Sequence, residues 1–141
     1  MEKFMAGIHF TFDNFKQLLD LTVGLAKRLD ENRSESFTLL YCDFSIVSKE
    51  TIGDSLDSVL RNSDSIVNHE SSYFFILPYT DKYGAGVVKK MFDEFFAKEL
   101  NSFVVSYPID GEDSRSIIEK LRQSVKSNYK SDLKCLEIPF R

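Results

Sequence analysis

Apolar residues recur at three- and four-residue steps in four segments of this chain, and each recurrence predicts an amphipathic helix. The first helix is expected at about residues 11–32, and a shorter one at residues 53–61. A third helix, the second long one, follows Gly84, and a fourth begins at Asp113 or Ser114. These helices alternate along the chain with segments of a different pattern.

Those segments are runs rich in aromatic and aliphatic residues, the composition of buried strands. One run covers residues 37–44, and residues 102–107 and 134–139 are expected to form two more strands. Residues 65–68 and 73–77 are expected to form a hairpin, whose second strand is continuously apolar and therefore lies near the middle of a sheet.

The predicted order is helix, strand, helix, hairpin, helix, strand, helix, strand. This order predicts an α+β fold, with a mostly antiparallel sheet of about five strands and helices packed on its faces. The length of 141 residues suits one domain over residues 1–141, in which residues 1–10 form an extra turn or an N-terminal extension.

Composition narrows the class of partner. The chain is 43% hydrophobic and 28% charged with a formal net charge of -4, so we expect no nucleic-acid partner, which would require a basic surface. No apolar run approaches the ~18 residues of a membrane span, and no signal peptide is recognisable. Cys42 and Cys135 are interpreted as core residues of a cytoplasmic protein, and a disulfide between them is not required.

Residue chemistry provides little sign of catalysis. His9 and His69 are the only histidines, and no convergent set of metal ligands is apparent, so no metal site is predicted. The acidic run at Asp110, Glu112 and Asp113 precedes a predicted helix, where negative charge is favoured as a cap.

The most informative stretch reads Arg61-Asn62-Ser63-Asp64, five further residues, Glu70-Ser71-Ser72-Tyr73-Phe74, and a strand ending at Pro78. It resembles the GGDEF (diguanylate cyclase) family, with its Arg-x-x-Asp motif, its Gly-Gly-Asp/Glu-Glu-Phe hairpin and its Leu-Pro close. Residues 37–44 are similar to the family's first strand, which ends in a metal-binding Asp. Residues 53–60 resemble its Gly-Asp-x-x-Leu helix start, and residues 107–113 resemble the turn before its last helix. The resemblance implies a ferredoxin-like nucleotide-cyclase core.

The catalytic residues of that family are missing here. Glu70 and Ser71 stand at its two glycines, and Ser72 and Tyr73 at its acidic pair; sliding the hairpin by one would instead put Tyr73 at the Phe position. Joining two GTP molecules needs Mg²⁺, which two carboxylates on adjacent strands normally hold. Asp43 matches one of them and Asp54 matches a guanine-reading Asp. Because Ser72 is neutral, the chain departs from the family at this position. We therefore predict no catalytic residue, no cofactor and no enzyme activity.

The Arg61-x-x-Asp64 motif has two interpretations. In the family it is a product-binding inhibitory site, where Arg and Asp would recognise cyclic di-GMP. In the alternative, Arg61 favours a helix C-terminus and Asp64 caps a turn.

The resulting prediction is a degenerate, catalytically inactive GGDEF-like domain of bacterial signal transduction, acting as a protein-interaction or dimerisation module. The first alternative is a cyclic di-GMP receptor that binds through Arg61 and Asp64. The second is a residual nucleotide cyclase that uses Asp43.

Overall fold

The structure, a computed structural model, describes residues 7–29 and 35–140. The elements follow the order β1 (Ile8–Phe10), α1 (Phe15–Leu29), β2 (Glu35–Asp43), α2 (Lys49–Val59), β3 (Ser65–His69), β4 (Ser72–Pro78), α3 (Lys82–Phe96), β5 (Ser102–Pro108) and α4 (Ser114–Tyr129). One short 3-10 turn, Phe12–Asn14, precedes α1, and another, Lys134–Leu136, follows α4. Within the described ranges, no helix is long and apolar enough to cross a membrane.

The five strands form one sheet in the order β1-β3-β4-β2-β5. Strand β2 pairs antiparallel with both β4 and β5, and β3 pairs antiparallel with β4. Among the described strands, only the short edge strand β1 runs parallel to its neighbour, β3. The predicted α+β class with a mostly antiparallel sheet is therefore confirmed.

The two faces of the sheet carry separate cores, because successive side chains of a strand point to opposite faces. Tyr41 and Phe74 belong to the core beneath α1 and α4, which also contains Phe15 and Leu121. The core on the other face lies beneath α2 and α3 and contains the residues Leu40, Cys42, Leu56, Phe75 and Phe92. Coverage on both faces explains why β2 and β4 are continuously apolar.

Side chains cover the outer edge of β5, on which no strand of the described residues pairs. The Tyr129 hydroxyl donates to the Ser102 carbonyl at 2.8 Å and accepts from the Ser102 amide at 3.2 Å. Further along, the Asp110 carboxylate accepts from the Ser106 amide at 2.8 Å. Open strand edges attract other strands, so these bonds protect β5 from unwanted pairing.

The N-terminus of α4 has the cap that its sequence predicts. Asp113 accepts from the Ser116 amide at 2.8 Å, and the Ser116 hydroxyl accepts from the Asp113 amide at 3.3 Å. The backbone hydrogen bond from Ser116 is the main cause that lowers the pKa of Asp113. A Cβ on the nearby Gly111 would lie only 2.7 Å from the Ser116 hydroxyl, so this turn leaves no space for a side chain.

Three local predictions need correction. Residues 8–10 are neither a tail nor a helical turn but form β1, and α1 begins at Phe15 after a 3-10 turn rather than at residue 11. The predicted strand at residues 134–139 is wrong. Its segment starts with a 3-10 turn, because the buried residues Leu133, Leu136 and Phe140 are spaced by three and four rather than two. Both cysteines are free, and Cys135 lies in this turn.

Candidate functional site

The C-terminal end of β2 and the N-terminal end of β4 lie side by side. The residues that match the catalytic positions of the GGDEF family in the sequence are found at these two ends. Strands β3 and β4 are joined by a two-residue turn, Glu70 and Ser71, and the cross-strand partner of Asp43 is Ser72. The Phe44 amide donates to the Ser71 carbonyl at 2.9 Å, which fixes the turn against the end of β2. The structure thus brings Asp43, Ser71 and Ser72 together.

Asp43 is half-buried, and its carboxylate is partly engaged by its own loop. Oδ1 accepts from the Ser45 amide at 2.9 Å, and the Asp43 amide donates to the Asn101 carbonyl at 2.9 Å. This bond to Ser45 shapes the connection that leads into α2. Asp43 therefore provides a carboxylate at this end of the sheet, directly opposite the neutral Ser72.

Ser72 is engaged with a neighbouring tyrosine. Its hydroxyl interacts with that of Tyr41, whose side chain lies on the same face two residues before Asp43. Burial, reinforced by the Asp43 charge, raises the pKa of Tyr41 to about 12, although the bond to Ser72 acts in the opposite direction. Tyr41 therefore stays neutral at pH 7 and contributes a dipole, not a charge.

The turn keeps the backbone conformation typical of glycine without a glycine. Glu70 has φ +52°, in the left-handed region that costs most side chains roughly 1 kcal/mol or more. The Asn68 side-chain amide donates to the Glu70 carbonyl at 2.9 Å and its oxygen bonds His9 Nε2 at 2.8 Å. These bonds hold the turn, while the Glu70 carboxylate projects from its exposed tip.

Tyr73 belongs to the core and not to this site. Its ring centroid lies 4.7 Å from that of Phe44 and 6.0 Å from that of Phe75, on the sheet face covered by α2 and α3. Burial raises the pKa of its hydroxyl. Because strand residues alternate between faces, Tyr73 points away from the side on which Ser72 and Tyr41 meet.

Asp54 lies exposed on α2, which covers the sheet face opposite to the one that Asp43 shares with Tyr41. The structure does not bring these two carboxylates together. Within residues 7–29 and 35–140, no group of three or more His, Cys, Asp and Glu side chains is arranged to hold a metal ion.

The Arg61-x-x-Asp64 motif forms a closed local unit. The buried Asp64 carboxylate accepts from the Arg61 backbone amide at 2.8 Å and from Arg61 Nη2 at 3.1 Å. The same Nη2 donates to the Pro78 carbonyl and to the Thr80 hydroxyl, both at 3.0 Å. Arg61 thereby ties the end of α2 to the end of β4.

A shallow hollow of about 440 Å³ lies beside Arg61, whose side chain is 56% exposed. Its lining also includes Glu35, Tyr79, Thr80 and Asp81. Two of these residues are acidic, so the hollow is not uniformly attractive to phosphate. Sequence reasoning missed the Pro78 and Thr80 contacts, because no local pattern signals bonds between such distant segments.

The apolar stripe of α3 is only partly buried. Phe92 is fully buried, but Val87, Met91 and Phe95 each keep 40% or more of their surface exposed. The stripe is wider than one buried face. This width is the sequence feature that indicates apolar residues outside the core.

No family model and no curated protein matches this sequence. Solved structures do resemble it. A DGC protein from Thermotoga maritima has a TM-score of 0.60 at 19% identity, over 81% of this chain and 93% of that one. A sensory box/GGDEF family protein from Caulobacter crescentus CB15 has a TM-score of 0.63 at 11% identity, over 86% of this chain and 93% of that one. At these identities the likeness establishes the fold: the chain has the α+β fold of GGDEF-domain proteins.

Proposed function

We propose that this chain is a catalytically inactive GGDEF-like signalling domain that works by binding a protein, either another species or a second copy of itself. The observation that carries the proposal is the pairing of Asp43 with Ser72. A cation held between these strands would receive the Asp43 carboxylate alone, because a neutral serine stands opposite it where the GGDEF family has its second metal-binding carboxylate. Here the second position offers a hydroxyl that Tyr41 already engages.

The turn supports the same conclusion. A triphosphate approaches a hairpin backbone most closely where no Cβ is present, and glycine provides that space. Glu70 keeps the left-handed backbone but adds a side chain and a negative charge at the tip. Phosphate groups approaching this turn would be repelled by that charge.

The cyclase test is incubation with GTP and Mg²⁺ followed by chromatography of the products. We expect no cyclic di-GMP from the wild type, and any product would instead favour the residual cyclase that uses Asp43. The informative variant carries Glu70→Gly, Ser71→Gly and Ser72→Asp together. Product that appears in this variant and disappears on adding Asp43→Asn would identify these positions as the cause of inactivity.

The receptor for cyclic di-GMP remains the second candidate, and the exposed Arg61 side chain beside the 440 Å³ hollow favours it. The closed Asp64 carboxylate weighs against it, because both of its oxygens already accept bonds from Arg61. Calorimetric titration with cyclic di-GMP tests this candidate. Saturable heat in the wild type that is lost in Arg61→Ala and kept in Arg115→Ala would support it, and no heat in the wild type would end it.

A further inference from the structure

Helix α3 carries a row of apolar side chains outside the core. Tyr83, Val87, Met91 and Phe95 retain 82%, 44%, 40% and 41% of their surface. They follow one another at intervals of four residues and therefore form a single ridge along the helix. Isolated exposed apolar residues are ordinary, but a contiguous row is typical of a surface that binds another protein.

A second, polar ridge runs beside the first and consists of Gly86, Lys90 and Glu94, all exposed. In the described part of the chain, neither the Lys90 side chain nor the Glu94 side chain forms an ion pair or a hydrogen bond. By contrast, the adjacent pair Lys89 and Asp93 is closed within the helix. The space around Gly86 is open to 4 Å, so another backbone can approach closely. We call these two ridges together the α3 outer face.

We propose that the α3 outer face binds the same face of a second copy of this chain, with the two helices antiparallel. This inference rests on the proposed function and names the partner. The two-fold axis crosses the helix pair at the level of residue 92. That position follows from the spacing of the apolar ridge and, independently, from the spacing of the two charges.

The apolar ridges interdigitate about this axis. With a rise of ~1.5 Å per residue, Phe95 of one copy lies between Val87 and Met91 of the other, about 3 Å along the helix from each. The two Met91 side chains meet at the axis with a similar offset. Tyr83 lies at the rim of the contact. Each knob thus enters a gap in the opposite ridge, as ridge-and-groove packing requires.

The same axis aligns the charges. It brings Lys90 of one copy level with Glu94 of the other, and symmetry makes this pair twice. A two-fold interface is formed by one surface that complements itself. An unrelated partner would have to offer both an apolar ridge and an oppositely ordered charge pair at the matching spacing. The chain itself already has both, so charge complementarity favours a second copy.

The size of the face sets the expected strength. One helix face covers less than the ~800 Å² per partner of a standard stable interface. We therefore expect a reversible dimer, with a dissociation constant of roughly 1 µM to 1 mM. Such a dimer is populated at high local concentration and is measured by varying the concentration of the protein.

Sedimentation equilibrium of the full chain across that range tests the proposal. The wild type should pass from monomer to dimer. Met91→Glu, which puts two like charges at the axis, should weaken association at least about tenfold. Leu25→Glu, at an exposed leucine of α1, is the matched control and should leave association unchanged. Equal loss in both variants would overturn the proposal.

The charge pair allows a rescue experiment. Lys90→Glu and Glu94→Lys should each weaken the dimer several-fold, because each juxtaposes like charges across the axis, and the double variant should recover it. Circular dichroism checks that every variant keeps its helices. A wild type that stays monomeric, or a double variant that does not recover, would overturn this inference. The loss of cyclase activity is decided separately by the GTP assay, so the two failures are distinguishable.

Discussion

The closed Arg61 and Asp64 unit makes a quantitative prediction about stability. Asp64→Ala removes a buried carboxylate that accepts from the Arg61 backbone amide at 2.8 Å and from Arg61 Nη2 at 3.1 Å. If the motif is a structural lock at the end of α2, its loss should weaken the fold. If it serves only a ligand, the free protein should tolerate the change.

The magnitude follows from the two bonds. Leaving the Arg61 backbone amide without its acceptor costs about 1–3 kcal/mol. The ion pair adds only about 0–1 kcal/mol, because the Arg61 side chain is 56% exposed whereas that of Asp64 is 2% exposed. We expect Asp64→Ala to lower the free energy of unfolding by about 2–3 kcal/mol. In a domain of this size that corresponds to a fall in Tm of about 6–12 °C.

Urea denaturation at pH 7 measures the change, with two variants for comparison. Asp64→Asn keeps one oxygen acceptor for the amide and should lose only about 1 kcal/mol. Arg61→Ala should also lose about 1 kcal/mol, since the Pro78 carbonyl still receives the Thr80 hydroxyl at 2.9 Å. A loss of unfolding free energy below about 0.5 kcal/mol in Asp64→Ala would refute the structural role of the motif. A loss in Arg61→Ala that exceeds the loss in Asp64→Ala would also refute it.

Three further predictions concern helix α4 and the edge of the sheet. Asp113→Ala should cost about 1 kcal/mol at pH 7. Since folding lowers the pKa of Asp113, its contribution to the free energy of unfolding is present above the unfolded pKa of ~3.9. This contribution should vanish as pH falls through the lower folded pKa, which urea titrations at several pH values would detect. Gly111→Ala should destabilise by about 1–3 kcal/mol in the same assay, because its Cβ would meet the Ser116 hydroxyl at 2.7 Å; no change would contradict that clash. Tyr129→Phe removes both bonds to Ser102 and should cost about 1–2 kcal/mol and increase aggregation measured by light scattering; an unchanged Tm would contradict the edge role.

The central fold was predictable because its elements follow clear periodicities. Strand β2 and the second strand of the hairpin, β4, are rich in apolar residues, and both are covered on two faces. Strand β1 was not predictable in this way. It has three residues and pairs with β3 across more than fifty positions of the chain, and no local pattern encodes such a contact. The C-terminal error had a local cause, since Ile138 was taken as part of a strand but is exposed.

The candidate site was predictable in position but not in detail. Cross-strand pairing places Ser72 opposite Asp43, the arrangement that the unshifted hairpin register requires. The alternation of Tyr73 and Phe75 with Phe74 already implied that Tyr73 faces the other core. The bonds of Arg61 to the end of β4 depend on how α2 packs against the sheet, and packing of that kind leaves no mark in a local sequence window.

The most direct test of the central claim is calorimetric titration of the wild type with GTP in the presence of Mg²⁺. The claim is that a cyclase-like fold is retained here while the carboxylate pair and the bare turn that hold a magnesium triphosphate are lost. The account predicts no saturable heat. Saturable binding that Asp43→Ala abolishes would contradict it, because the end of β2 would then hold the nucleotide without a carboxylate at Ser72.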